Sequence, residues 1–131
     1  MQLSEVVQQF ISRYITSVDQ LEILLLLQRN PDRHWNAEDV ARELFTEAVS
    51  AGSRLSELAN QGLITAKIVD ERPSYRYGPR TVQFERAISE LATEYPKYRV
   101  SIINLIFSKP IDKIRTFADA FRLTTEDEED K

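Results

Sequence analysis

The chain has 131 residues, 42% of them hydrophobic, and a formal net charge of −4. That length suits one compact domain with an appended helical part rather than two domains with separate cores. The absence of cysteine excludes disulfides, thiolate metal sites and thiol nucleophiles. No apolar run approaches the roughly 18 residues of a membrane span, so a soluble, cytoplasmic, non-transmembrane protein is expected.

The charge is unevenly placed. Thr124 to Lys131 hold five acids and one lysine, which is the whole of the −4, so the body is close to neutral and any basic face must be local. Met1 to Glu5 lacks a charged lead before an apolar core, so no secretion signal is expected.

Leu3, Val6, Val7, Phe10, Ile11, Tyr14 and Ile15 recur at steps suited to an amphipathic helix of about three turns. Ser17 with Gln20 three positions on has the form of a capping box, and Pro31 sets a far limit, so a second helix is expected from about Val18 to Gln28. Leu21, Ile23, Leu24, Leu25, Leu26 and Leu27 make it apolar on nearly every side, as a central core helix would be.

Asn30-Pro31-Asp32-Arg33 reads as a turn and His34-Trp35 as a short extended piece, with Trp35 plugging the core beside a hairpin. Asn36 is a good N-cap for a helix whose inward positions are Val40, Ala41 and Leu44. Thr46 is expected to cap the next helix, running to Gln61, with Val49, Leu55 and Leu58 inward and Gly62 as a left-handed C-cap. Leu63 to Val69 then reads as a strand, Asp70 to Ser74 as a hairpin tip, and Tyr75 to Tyr77 as the returning strand, closed by Gly78-Pro79.

From Thr81 the pattern changes. Phe84, Ile88, Leu91, Tyr95, Tyr98, Ile102 and Leu105 alternate steps of four and three, a heptad seam of the kind used between helices. Pro96 lies inside it, so a kink or break is expected near Thr93 to Pro96. Val100 to Phe107, read alone, also suits a buried strand, but the continuing heptad favours a helix. Ser108-Lys109-Pro110 opens a further amphipathic stretch with Ile111, Ile114, Phe117, Ala118 and Phe121 on one face, and the acidic residues 124–131 read as a disordered tail.

The order helix, helix, short strand, helix, helix, two-stranded wing resembles the winged helix-turn-helix domains of bacterial transcription regulators. The resemblance is carried by Trp35 through Leu44, by Val49 through Ile64 with its Leu55, Leu58 and Gly62-Leu63-Ile64 ending, and by Tyr75-Arg76-Tyr77. It covers Ser17 to Arg80, roughly half the chain. It implies a mainly α fold with a small antiparallel β wing, with an additional N-terminal helix and C-terminal helices. The organisation expected is residues 1–80 as the winged domain, 81–123 as C-terminal helices for dimerisation or docking, and 124–131 as the tail.

It also implies double-stranded DNA as partner, bound by a homodimer. With Val49, Leu55 and Leu58 inward, the outward face of the second helix of the motif is Thr46, Glu47, Ser50, Ser53, Arg54 and Glu57. Arg54 then suits guanine and Ser50 or Ser53 a phosphate, while the two glutamates repel the backbone. Lys67, Arg72, Arg76 and Arg80 against Asp70 and Glu71 leave the wing at +2, so DNA affinity is expected to sit mainly there. The heptad seam from Phe84 to Leu105 resembles the dimerisation helices of such regulators, and its alternative is folding back on its own domain.

A second functional class stays open, a protein-interaction module in which the acidic helix face and Val100 to Phe107 dock a protein partner. An effector pocket lined by Trp35, Tyr75 or Tyr95 is an analogy with ligand-responsive regulators. No catalytic residue, cofactor or metal is expected. His34 is a lone histidine, Gly52, Gly62 and Gly78 are too dispersed for a phosphate loop, and Glu38 and Asp39 suit a first helical turn.

Overall fold

The computed structural model describes residues 3–108. The amphipathic stretch from Ile111 to Phe121 and the acidic tail lie outside them. Six helices and one hairpin follow in order: α1 (Glu5–Tyr14), α2 (Val18–Arg29), α3 (Ala37–Leu44), α4 (Ala48–Gln61), β1 (Ile64–Val69), β2 (Arg72–Tyr77), α5 (Val82–Glu94) and α6 (Arg99–Phe107).

Helix starts follow the capping chemistry of the sequence. Ser4, Ser17 and Thr81 accept the amides of Val7, Gln20 and Phe84 on their hydroxyls. At α3 a complete capping box forms, with Asn36 Oδ1 accepting Asp39 N–H (2.8 Å) and Asp39 Oδ2 accepting Asn36 N–H (3.2 Å). The Ser17 box differs from its expected form, because Gln20 Oε1 takes Thr16 N–H (2.7 Å).

α2 is the hub. Leu21 and Ile23 through Leu27 are all buried, so α4, the wing and α5 pack around it. The polar exception on α2 is Gln20, 1% exposed yet satisfied: its Nε2 donates to Tyr14 O (3.2 Å) and to Gln61 Oε1 (3.2 Å), and Gln61 Nε2 also donates to Tyr14 O (3.0 Å). Two amide side chains thus join the end of α1, the start of α2 and the end of α4.

The wing is antiparallel, with Ile64 opposite Tyr77 and Val69 opposite Arg72. Its turn is tighter than the expected five-residue tip. Only Asp70 and Glu71 lie between the strands, both at positive φ (52° and 66°), the geometry of a two-residue hairpin loop matched to strand twist. Trp35 supplies a third, one-residue strand, exchanging two backbone hydrogen bonds of 2.7 Å with Tyr75. Its indole is buried in the core, as expected, with the Arg33 guanidinium 3.7 Å above the ring.

α5 and α6 fold back on α1 and α2. Phe84 meets Phe10 and Tyr14 edge-on, and Ile88, Leu91 and Ile102 have no exposed surface. One core cluster therefore runs from α1 to α6. Between α5 and α6 the chain turns at Tyr95 to Tyr98, where Pro96 breaks the rod, and residues 100–107 are helical rather than a strand.

Three expectations need correction in and around α4. Thr46 is not its cap, since the N-cap position falls on Glu47, whose side chain makes no capping hydrogen bond. Val49 is 82% exposed rather than inward. The spacing of six that linked Val49 to Leu55 amounts to about 600° of helix, leaving the two roughly 120° apart, and Ala51 takes the inward place instead. The returning strand begins at Arg72 rather than at Tyr75.

Candidate nucleic-acid interface

The hairpin register sorts the wing residues onto two faces. Directly opposed residues share a face and neighbours alternate, so Ile64, Ala66, Ile68, Pro73, Tyr75 and Tyr77 form one face and Thr65, Lys67, Val69, Arg72, Ser74 and Arg76 the other. Buried Ile64 and Tyr75 mark the first as the core side. Lys67, Arg72 and Arg76 therefore stand together on the outer face, all exposed, and none is in a salt bridge with a described residue. Arg80 stands apart at the base of the wing, its N–H donating to Gly62 O (2.7 Å) and its side chain lying over Gly62.

Gly62 closes α4 as the sequence implies. Its φ of 85° lets its N–H reach Ala59 O and Leu58 O, and Leu63 N–H returns to Leu58 O (3.0 Å). α4 thus runs directly into β1, so helix and wing are held as one unit.

Around α4, Ala51, Leu55 and Leu58 are buried. At about 100° per residue the opposite line is Val49, Ser53, Ser56 and Asn60, all exposed. The outward face is thus turned by roughly 60° from the one expected, because Val49 is outside rather than inside. Ser53 stays on it and Ser50 on its edge, both exposed. Arg54 lies on the flank, paired to Glu57 (3.2 Å), and lines a cleft with Ser17, Asp19, Ile106 and Phe107.

The turn before α4 holds a residue that the apolar pattern left unassigned. Phe45 is 95% exposed and has left-handed backbone geometry (φ 56°), fixed by its own N–H and that of Thr46, both donating to Ala41 O. Helical spacing gave no signal for this, since Phe45 is four residues after Ala41 and would continue the stripe; the helix ends at Leu44, and the left-handed cap turns the ring outward.

Between the start of α3, the middle of α4 and β2 lies a cleft of about 350 Å³ lined by Asn36, Glu38, Gly52, Arg72 and Tyr75. It brings the wing cation Arg72 beside the flank of α4 that faces α3. Trp35 and Tyr75 are joined through their backbones, whereas Tyr95 donates to Glu22 Oε2 (3.2 Å) on α2. The seam residues Phe84, Ile88, Leu91, Tyr95, Tyr98, Ile102 and Leu105 are buried or half-buried against the rest of this chain. Among the described residues no group of three or more histidine, cysteine, aspartate or glutamate side chains is placed to hold a metal ion, and no helix is long and apolar enough to cross a membrane.

Two tyrosines are shifted. Burial first, then the Glu85 carboxylate, pushes Tyr77 up to about 12. Burial, then Glu22, raises Tyr95 as well, against the lowering effect of Arg99. Both phenols stay neutral and contribute no charge to the interface at physiological pH.

A helix-turn-helix whose second helix passes through a glycine into a two-stranded wing, with a preceding one-residue strand pairing on that wing, is a winged helix-turn-helix fold. A solved structure agrees: the adhesin competence repressor AdcR of Streptococcus pyogenes is similar over 88% of this chain and 87% of its own, with a TM-score of 0.50 and 15% identity. The structure of a double mutant of ZitR from Lactococcus lactis is similar over 88% of this chain and 79% of its own, with a TM-score of 0.47 and 16% identity. No protein-family model and no curated protein matches the sequence.

Proposed function

We propose that this chain is a DNA-binding transcriptional regulator of the bacterial winged-helix type, acting in the cytoplasm as a homodimer. The observation that carries the reading is the outer face of the wing. There Lys67, Arg72 and Arg76 stand on one side of the hairpin, free of acidic partners among the described residues, and Arg72 also lines the cleft that Gly52 of α4 borders. Unpaired cations on a projecting hairpin neutralise phosphates, and an exposed helix beside them is the element that enters a groove. The protein of similar fold from Streptococcus pyogenes is named a repressor, which agrees with this reading.

Roles follow from placement. Lys67, Arg72 and Arg76 contact phosphates, and Ser50 and Ser53 sit where hydroxyls reach backbone or base edges. Arg54 reaches DNA only by leaving Glu57, and Arg80 supports the junction of wing and helix. For the dimer, the core positions of the seam are already occupied within the chain, so Val100 and Phe107, exposed on α6, are the apolar residues there left for a second copy.

The test is a duplex titration at about 50 and 200 mM salt with the native chain and with Arg72→Ala/Arg76→Ala. Binding by the native chain is expected to fall steeply with salt. The double variant is expected to bind at least tenfold more weakly, with a log–log salt slope smaller by about 2. No binding at low salt, or binding indifferent to salt, overturns the reading. A second reading, a protein-docking module, is favoured by one observation, the exposure of Val100 and Phe107 on a helix whose Ile102 and Ile106 are buried.

A further inference from the structure

We propose that Phe45 and Val49 are specificity-determining residues that recognise thymine through its C5-methyl group in the major groove. The proposal rests on the DNA-binding reading above and adds what is read. Phe45 and Val49 are the two most exposed of the large apolar side chains among the described residues, at 95% and 82%, Phe45 in the turn that leads into α4 and Val49 in the first turn of that helix. Neither carries a hydrogen-bonding group on its side chain. The apolar feature that a base pair presents in the major groove is the thymine methyl, so contact between that group and a phenyl ring or a valine methyl is the chemistry available to them.

Three further observations select a duplex as the occupant. The line running on from Val49 is Ser53 and Ser56, short hydroxyls that let a helix approach closely and bond to a phosphate or a base edge. Gly52, three residues on from Val49, adds no side chain, and Arg72 of the wing lines the same cleft as Gly52, so one cation stands along this helix. Phe45 is also preset. The two amides bonded to Ala41 O hold the left-handed turn, so the ring is presented in place without ordering a loop.

The experiment uses the full chain and a pool of duplexes of about 30 base pairs with random cores, enriched for binding, then remade with either thymine or uracil. Uracil keeps every hydrogen-bonding atom of the base and lacks the methyl alone. The uracil duplexes are expected to bind roughly fourfold more weakly for each methyl in contact. The variants Phe45→Asn, whose side chain accepts the left-handed backbone, and Val49→Ala are expected to lose that discrimination while keeping the salt dependence set by the wing.

A native chain that binds duplex but does not distinguish thymine from uracil overturns the proposal and leaves the DNA-binding reading standing. A native chain that binds no duplex at all overturns both. A change in sedimenting mass on Phe45→Asn, with thymine discrimination unaltered, assigns the apolar spot to a second copy of the chain and overturns the proposal as well.

Discussion

Phe45 holds a bulky side chain at positive φ, which costs stability, and its ring stays in water, so no burial offsets that cost. Phe45→Asn is therefore expected to leave the chain as stable or to stabilise it by about 1 kcal/mol in urea unfolding, because asparagine tolerates the left-handed region and no packing is lost. A loss above about 2 kcal/mol would show a structural role instead. Tyr77 presents the complementary case of a buried hydroxyl with no hydrogen-bond partner among the described residues. Its folded pKa, about 12, lies above the ordinary tyrosine value of 10.0, so the protonated form is favoured by folding. That contribution is complete below pH 10 and is lost as pH rises towards 12, amounting to about 1–2 kcal/mol once partial exposure of the residue is allowed for. Tyr77→Phe should accordingly leave stability at pH 7 unchanged or raised, and should flatten the alkaline fall above pH 10 measured by circular dichroism. The raised Tyr95 acts in the same direction, so a smaller fall should remain.

At the scale of elements, α4 depends on how its two ends are held. Its carboxyl end is tied through Gln61 to Gln20 and to Tyr14 O. Gln20→Ala removes several part-buried hydrogen bonds at once, and urea unfolding should show a loss of about 2–3 kcal/mol. A loss under about 0.5 kcal/mol would mean that water replaces the amide without penalty. In the wing, Asp70 and Glu71 occupy a loop whose two positive φ values suit Asn-Gly. Asp70→Asn with Glu71→Gly should stabilise the chain by about 0.5–1 kcal/mol and, by removing two negative charges beside Lys67, Arg72 and Arg76, should strengthen duplex binding. Unchanged affinity in the titration would place the wing cations away from phosphate.

Considered as a whole molecule, the chain has a heptad seam that packs against its own domain. The same spacing that pairs two long helices also lets a helix pack on its own domain, and the break at Tyr95 to Tyr98 folds α5 and α6 onto α1 and α2. Leu91→Ala should therefore cost about 2–5 kcal/mol as a core cavity, with the same shift in melting temperature at every protein concentration. Val100→Ser with Phe107→Ser should leave folding unchanged and lower the sedimenting mass if α6 meets a second copy.

Much of this architecture is legible from the residues alone, because it rests on local chemistry. Ser17, Asn36 and Gly62 mark helix ends by the hydrogen bonds and backbone angles open to them, Pro96 breaks a helix by lacking an N–H, and Leu21 with Ile23 to Leu27 demands burial on nearly every side. The basic residues of the wing are equally plain in the sequence. What only the tertiary structure decided is orientation. Helical rotation places Val49 outside and Arg54 on a flank, strand register gathers Lys67, Arg72 and Arg76 on one face, and Phe45 is left exposed at a left-handed turn. The reason is physical: a periodic pattern fixes which residues share a side, while the neighbour against which that side closes is settled by long-range packing.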